Sequence, residues 1–287
     1  MTVRSYAKIN LGLYVLGKRE DGFHDLATIF HRVDLFDTLH FEATGGGVTL
    51  EANRDDIPRD RGNLCVRAAE ALLHEQRDRG VHMYLEKRIP AGAGLGGGSS
   101  NAAAVLRVLP ELLGLDVPDE ERMEIAAMLG SDVPFFLQDR PAEARGRGEI
   151  LLPFDWRCPY WILLVTPDIH VSTPWAYGSL RPRPRRPEPP LRAALEKLPH
   201  DAGALATVLH NDFEETVMEQ HPAIRTLRDH MMDCGAAGAL MSGSGSSVFG
   251  LFETHHAAAR CAERLHGVRA TALTAPDFFP THIVRDA

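Results

Sequence analysis

Between Pro90 and Ala103 the chain reads Pro-Ala-Gly-Ala-Gly-Leu-Gly-Gly-Gly-Ser-Ser-Asn-Ala-Ala, and no other stretch has so biased a composition in so suggestive a setting. Before it, His82 to Ile89 has the length and the β-formers of a strand; after it, Ala102, Leu106, Leu109 and Leu113 recur at helical spacing. The stretch is therefore a junction of strand, loop and helix. Its glycines let the backbone turn N–H groups inward and approach a ligand closely. Ser99 or Ser100 is placed to cap a helix whose positive end points at the same spot. Such a junction is an anion site, and phosphate is the usual anion.

Gly92, Gly94 and Gly97 formally match G-x-G-x-x-G, the dinucleotide fingerprint. That fingerprint also requires a second strand with an acidic residue about 20 residues on, and Leu112 to Asp119 reads as a turn instead. A Walker A loop fails as well, because no Gly-Lys-Ser/Thr follows the glycines.

At 287 residues the chain can bury a sizeable core and is expected to form two domains. A formal charge of −8 argues against a nucleic acid or an anionic membrane as the main partner, so ligand sites must be positive locally. No apolar segment of signal-peptide type follows Met1 and no run of 18 apolar residues occurs, which makes the cytoplasm the expected location. Cys65, Cys158, Cys234 and Cys261 lie far apart with no C-x-x-C pair. They are expected to be reduced, mostly buried thiols rather than disulfides or zinc ligands. The 14 histidines show no H-E-x-x-H spacing, so no zinc is expected.

Along residues 5–16, Ala7, Ile9, Leu11 and Leu13 share one face of a strand while Lys8 and Asn10 share the other. From this segment alone, the polar pair fits the solvent side of an edge strand as well as a site. Residues 18–25 form a polar turn with Phe23 and His24 at its exit, and Ile29 to Phe41 reads as strand. Asn63 to Leu73 has helical period. Pro110 should kink or end the helix after the glycine loop; Pro118 opens another, which Gly130 closes. Asp132 then falls beside Val133, Phe135 and Phe136, where a buried carboxylate is costly unless paired or used.

Residues 145–149 form a further turn, and a domain boundary near 153–160 gives domains of 1–156 and 157–287. Trp161 to Pro167 is a fully apolar strand, and Ser172-Thr-Pro opens a helix. Residues 181–190, rich in Arg and Pro, read as an exposed, solvated loop or polyproline II segment. Asn211 to Cys234 reads as one helix or two, with Pro222 breaking the pattern, and Ser242 to Ser247 is a second glycine-rich turn between strands. A helix over 254–266 and a closing strand near 270–273 or 282–284 complete an α+β alternation.

Lys8-Ile-Asn-Leu11, the loop Pro90 to Ala102 and Ser242-Gly-Ser-Gly245, in that order and spacing, resemble the GHMP small-molecule kinases. Gly22-Phe-His-Asp25, Asn63 to Ala69, Gly130 to Phe135, Gly148-Glu149, Ser172-Thr-Pro174 and Asn211-Asp212 extend the resemblance over most of the chain. These added segments are similar to the branch whose alcohol substrate is a cytidine-diphosphate ester of methylerythritol.

The resemblance implies a two-domain α/β (α+β) fold, with an N-terminal ribosomal-S5-like domain, a C-terminal ferredoxin-like domain and the active site in the cleft between them. It implies ATP and Mg²⁺; Ser99, Ser100 or Glu149 could help hold the metal, and the sequence alone fixes no ligand. Pro90, Ala91, Gly92, Ala93, Gly94, Leu95, Gly96, Gly97, Gly98, Ser99 and Ser100 would wrap the nucleotide, together with Asn63 and Lys87. Asp132 would act on the substrate hydroxyl with Lys8 beside it. Phe23, His24 and Tyr177 would hold the cytosine, Asn10 and Thr173 the diphosphate and alcohol, and Ser242 and Gly243 further parts of the substrate.

Phosphoryl transfer has a loose transition state, so positioning and charge neutralisation carry most of the rate. Arg145 and Arg147 stand where the family pattern has small or apolar residues, and are expected to affect only local detail. The resemblance further suggests a monomer or weak homodimer. The competing readings are a GHMP kinase acting on homoserine or a mevalonate derivative, and a non-catalytic sensor on the same fold. Phe23-His24 with Tyr177 favours a nucleotide-bearing substrate, and the acid at position 132 argues against the sensor.

Overall fold

The computed structural model describes residues 1–76, 78–181 and 184–284. Two long antiparallel strands, β1 (Thr2–Lys18) and β2 (His24–Thr44), are joined by the polar turn. Their ladder shifts register between Tyr6 and Lys8, between Leu11 and Leu13, and between Val15 and Gly17. Each shift re-aims the side chains that follow it. Ala7, Ile9 and Leu11 consequently enter one core and Leu13 another, where simple alternation predicts a single face. Lys8 and Asn10 are 5% and 2% exposed, so the polar face of β1 is turned into the molecule rather than to solvent.

The chain continues through β3 (Gly47–Ala52), α1 (Leu64–Leu72), β4 (Gly80–Glu86), α2 (Gly97–Leu113), α3 (Asp119–Leu129), β5 (Ala142–Gly146) and β6 (Ile150–Pro153). The second half contains β7 (Trp161–Pro167), α4 (Thr173–Gly178), α5 (Leu191–Leu195), α6 (Ala202–Val208), α7 (Glu214–Gln220) and α8 (Pro222–Asp233). After these come β8 (Gly238–Met241), β9 (Val248–Phe252), α9 (His255–Glu263), β10 (Val268–Thr274) and β11 (Ile283–Val284).

One sheet runs β11-β1-β2-β4-β3, with β5 on the first half of β2 and β6 beside β5; the other runs β10-β7-β9-β8. Apolar side chains alternate to both faces of β7 and β9. Ile162, Leu164, Phe249 and Leu251 face Ala7, Ile9, Leu11 and Ile29 of the first sheet, whereas Leu163, Val165, Val248 and Phe252 face α7, α8 and α9. A third core lies under α1, α2 and α3. The shared core fixes the two sheets against each other, so β1 and the β8–β9 turn hold a set relation.

Several local expectations are corrected. Pro110 lies inside α2 without ending it, and the helix continues to Leu113. The missing N–H falls within the last turn, which is held by Gly114 N–H on the Pro110 carbonyl and by the fully buried Leu106 and Leu109. The cap of α2 is Gly96 in the left-handed conformation, with no side-chain cap bond; Ser99 and Ser100 lie within the helix. Of the one-helix and two-helix readings of Asn211 to Cys234, the structure has two: α7 ends at Gln220 and Pro222 starts α8. Residues 181–190 include Pro182 and Arg183, which lie outside the described residues. The part from 184 on is docked rather than merely solvated: Arg185 pairs with Asp25 at 2.9 Å, Arg186 with Asp212, and Glu188 with Arg145 at 2.7 Å.

Candidate active site

The glycine loop connects the end of β4 to the first turn of α2. Gly94 has φ +77°, and a Cβ there would lie 2.1 Å from the Ser242 carbonyl oxygen; Gly96 has φ +67°, and a Cβ there would lie 2.9 Å from the Phe136 ring. Only glycine reconciles that conformation with that approach. The loop is pinned by Lys8 N–H on the Leu95 carbonyl at 3.0 Å and by the Ser242 hydroxyl on the Gly94 carbonyl at 3.1 Å. Because Gly96 caps α2 without a side chain, the amides of the first helical turn at Gly97, Gly98 and Ser99 remain for a ligand, at the positive end of a 17-residue helix.

Beneath the loop, Asp37 is fully buried and accepts bonds from Lys87 Nζ (2.5 Å), Arg88 N–H (2.7 Å), Ile89 N–H (2.7 Å) and Asn101 Nδ2 (2.9 Å). Four donors on one carboxylate make a rigid platform between β4 and α2. Burial pulls the Lys87 ammonium below its ordinary pKa, against the opposing pull of Asp37.

On the other side of the loop, Lys8 Nζ donates to Asn10 Oδ1 at 2.7 Å and lies 3.5 Å from Asp132 Oδ2. Asn10 Nδ2 donates to Thr28 Oγ1 at 2.9 Å, and Thr28 Oγ1 donates to the Gly12 carbonyl at 2.5 Å. This chain fixes the amide orientation of Asn10 and with it the direction of Lys8. Asp132 follows Gly130, the C-cap of α3, and is held by its buried neighbours Val133, Phe135 and Phe136 while its carboxylate stays one-third exposed.

Two cavities meet at this carboxylate. One, of about 470 Å³, is lined by Lys8, Asn10, Asn63, Lys87, the loop from Pro90 to Ser99, and Gly243. The other, of about 900 Å³, is lined by Phe23, His24, Ser131 and Pro174 among others. Asp132, Arg147, Thr173 and Tyr177 line both. His24 and Tyr177 stack with centroids 5.3 Å apart at 28°, and Tyr177 in turn meets Phe213 edge-on at 4.8 Å. Burial holds the His24 imidazolium below its usual pKa, with Lys18 adding to it, and burial pushes the Tyr177 phenol up.

Most of the residues expected at a site thus converge. Ser100 does not: its hydroxyl donates to the Tyr6 carbonyl at 2.7 Å and accepts from Ser5, which ties α2 to β1 away from the cleft. Ser242 is buried beneath the glycine loop rather than facing the second cavity, while Gly243 lines the first. Asn63 caps α1 through Oδ1 on Cys65 N–H at 2.9 Å and still lines the cleft. Arg147 does more than local duty, because its guanidinium lies 4.8 Å from the centre of the Phe23 ring and it lines both cavities.

The sequence pattern does not assign these roles to Thr28, Asp37 or Asn211. Asn211, noted only as part of a matching segment, donates to the Met241 and Gly243 carbonyls at 2.8 Å each and so shapes the β8–β9 turn.

A glycine cradle for phosphate, with a paired lysine and carboxylate where it meets a second cavity, defines a small-molecule kinase. The family descriptions "GHMP kinases N terminal domain" and "GHMP kinases C terminal" match residues 63–140 and 191–268. The chain belongs to the GHMP kinases and, among them, to the family of 4-diphosphocytidyl-2-C-methyl-D-erythritol kinases. It is 43% identical to the protein of that name from Chlorobium phaeobacteroides (strain DSM 266 / SMG 266 / 2430), covering 97% of this chain and 96% of that one. It is 41% identical to the one from Geobacter sulfurreducens, with 92% and 94% covered. A crystal structure of 4-(cytidine 5'-diphospho)-2C-methyl-D-erythritol kinase superposes with a TM-score of 0.83 at 38% identity, covering 97% of this chain and all of that one. No helix among the described residues is long and apolar enough to cross a membrane.

Proposed function

We propose that this kinase transfers the γ-phosphoryl group of ATP to the 2-hydroxyl of 4-diphosphocytidyl-2-C-methyl-D-erythritol, a step of non-mevalonate isoprenoid synthesis. The observation that carries the reading is the position of Asp132, at the junction of two cavities and 3.5 Å from Lys8 Nζ. One cavity has the amides of a helix N-terminus for phosphates, and an apolar end at Ile57, Pro58, Leu64 and Leu85 suited to a purine. The other has a stacked His24–Tyr177 pair and the Phe23–Arg147 pair, surfaces on which a pyrimidine ring stacks.

In this reading Asp132 orients the acceptor hydroxyl and takes its proton as the bond to phosphorus forms. Lys8 sets the carboxylate in place and offers a positive charge to the transferring oxygens, while the first amides of α2 hold the terminal phosphates in line. Mg²⁺ bound with ATP supplies further neutralisation of phosphate charge. Ser99 and Asp132, both lining the phosphate cavity, would offer it oxygen ligands. Ser100 is committed to β1, and Glu149 closes its own turn by accepting Arg147 N–H at 2.6 Å. His24, held neutral by its depressed pKa, has a ring N–H and a lone pair for the cytosine edge.

The division near residue 156 belongs to the same reading, supported by the change of sheet between β6 and β7. So do a cytoplasmic location and a monomer or weak homodimer.

The test is steady-state phosphorylation with ATP and Mg²⁺, run in parallel on the cytidine substrate, homoserine and mevalonate. Turnover of the cytidine substrate alone is expected. Turnover of another alcohol instead would keep Lys8, the glycine loop and Asp132 but overturn the pyrimidine pocket.

A further inference from the structure

The last turn of α8 presents His230 and Cys234 four residues apart, and Cys261 of α9 faces them across the helix pair. The His230 ring nitrogen and the two sulfurs all lie within 4.8 Å of one another. His230 Nε2 and Cys234 Sγ are 3.6 Å apart. With bonds of ~2.05 Å to imidazole and ~2.3 Å to thiolate, two ligands of a tetrahedral zinc ion stand about 3.5 Å apart. The spacing is therefore that of a chelate edge. A thiol–imidazole hydrogen bond has the same length, so the pair is held at this spacing with or without an ion.

From these positions we propose that His230, Cys234 and Cys261 form a binding site for a soft divalent cation, Zn²⁺ by its ligand preference, that clamps α8 to α9. Three further observations support it. The ligands sit on helices anchored by buried Leu227, Met231 and Ala258, so the spacing is fixed by packing. Cys261 is buried while His230 and Cys234 are half-buried, which leaves one side open for the ion to enter and for water to complete the tetrahedron. The C-terminal end of a 12-residue helix, the negative end of its dipole, lies at Cys234. None of the three residues lines either of the cavities at Asp132, so the site is separate from phosphoryl transfer. No C-x-x-C or H-E-x-x-H spacing announces it, because the third ligand comes from a different helix.

The probe is Co²⁺, added to the full chain after chelation and reduction, with no nucleotide present. One equivalent is expected to give intense tetrahedral d–d bands and a thiolate-to-cobalt charge-transfer band, both lost when Zn²⁺ is added. Cys234→Ser, at a half-buried position, is expected to remove the charge-transfer intensity in part and to weaken Zn²⁺ binding more than about a hundredfold, beyond the loss caused by removing an outer-shell partner. His230→Gln should weaken Zn²⁺ comparably while keeping the thiolate band. Zn²⁺ should raise the Tm of the wild type and leave that of Cys234→Ser unchanged. Weak, six-coordinate cobalt spectra, or bands that survive unchanged in both variants, would overturn the site.

Discussion

The Lys8 ammonium stands 3.5 Å from the Asp132 carboxylate, although the two residues come from a strand near the start of the chain and from the exit of a helix. Both line the same cavity as the glycine loop, so a phosphoryl group held by the loop meets both. Replacing Asp132 with Asn keeps the shape and removes the proton acceptor. The kcat of Asp132→Asn is expected to fall by at least about a hundredfold, the low end of a general-base contribution. ATP affinity, measured by calorimetry, should stay within about threefold. A kcat within about tenfold of wild type would remove Asp132 from proton transfer.

Thr28 acts on the same centre at one remove, since its hydroxyl accepts from Asn10 and Asn10 accepts from Lys8. Thr28→Val matches the volume but leaves Asn10 Nδ2 buried without that acceptor, a cost of about 1–3 kcal/mol. Thermal unfolding should drop by a few degrees and kcat by roughly tenfold, with both KM values little changed, if Asn10 must hold Lys8. Thr28→Ser is expected to recover most of kcat. A purely structural threonine would lower Tm without touching kcat.

What the sequence reveals and what it hides divide along a physical line. The glycine loop, Asp132 and the Phe23-His24 pair stand out because their residue types are costly where they occur, so local chemistry alone flags them. Lys8 and Asn10 are ambiguous: alternation places them on one face but cannot say that the face is internal, which depends on the second sheet packing across β1. Thr28, Asp37 and Asn211 are ordinary residues in ordinary patterns, and their roles arise from partners up to 64 residues away. The serine cap of α2 fails because a left-handed glycine already turns the chain, and a side-chain cap would occupy the amides that phosphate needs.

Arg147 offers a test of the second cavity, because its guanidinium covers the Phe23 ring at 4.8 Å and faces the space shared with Asp132. A cation there can meet the diphosphate of the proposed substrate. Arg147→Ala is expected to raise KM for the cytidine substrate by roughly tenfold or more, while kcat stays within about threefold and KM for ATP is unmoved. Arg147→Lys should recover part of the loss. If the ATP KM rises instead, the residue serves the nucleotide.

Gly94 and Gly98 should respond differently to one added methyl. At Gly94 a Cβ would lie 2.1 Å from the Ser242 carbonyl, at φ +77°, whereas at Gly98 it meets only Leu64 Cδ1 at 3.8 Å. Gly94→Ala is expected to push the loop off the β8–β9 turn and raise KM for ATP more than about tenfold. Gly98→Ala, inside α2, should leave stability equal or better by up to about 1 kcal/mol. Equal ATP KM values for Gly94→Ala and wild type would show that the loop does not need this approach.

His31 is expected to steepen the acid limb of stability. It is fully enclosed on β2, its Nδ1 has no hydrogen-bond partner, and its ring meets Trp156 edge-on at 5.5 Å. Burial lowers its pKa to about 4, from an ordinary 6.5. The sign follows from proton counting: between those two values the unfolded chain holds a proton on His31 that the folded chain does not, so unfolding is favoured as pH falls. The contribution is fully present above pH ~6.5 and is lost progressively towards pH ~4, to a total of about 3 kcal/mol. His31→Leu removes the titration while keeping an apolar side chain of similar size in the core. Denaturant unfolding of wild type and variant from pH 7 to pH 4 should therefore show the wild type losing stability more steeply, with the difference confined to that window. Parallel curves would mean that His31 is protonated in the folded protein or reached by water, and the acid sensitivity would then belong to other groups.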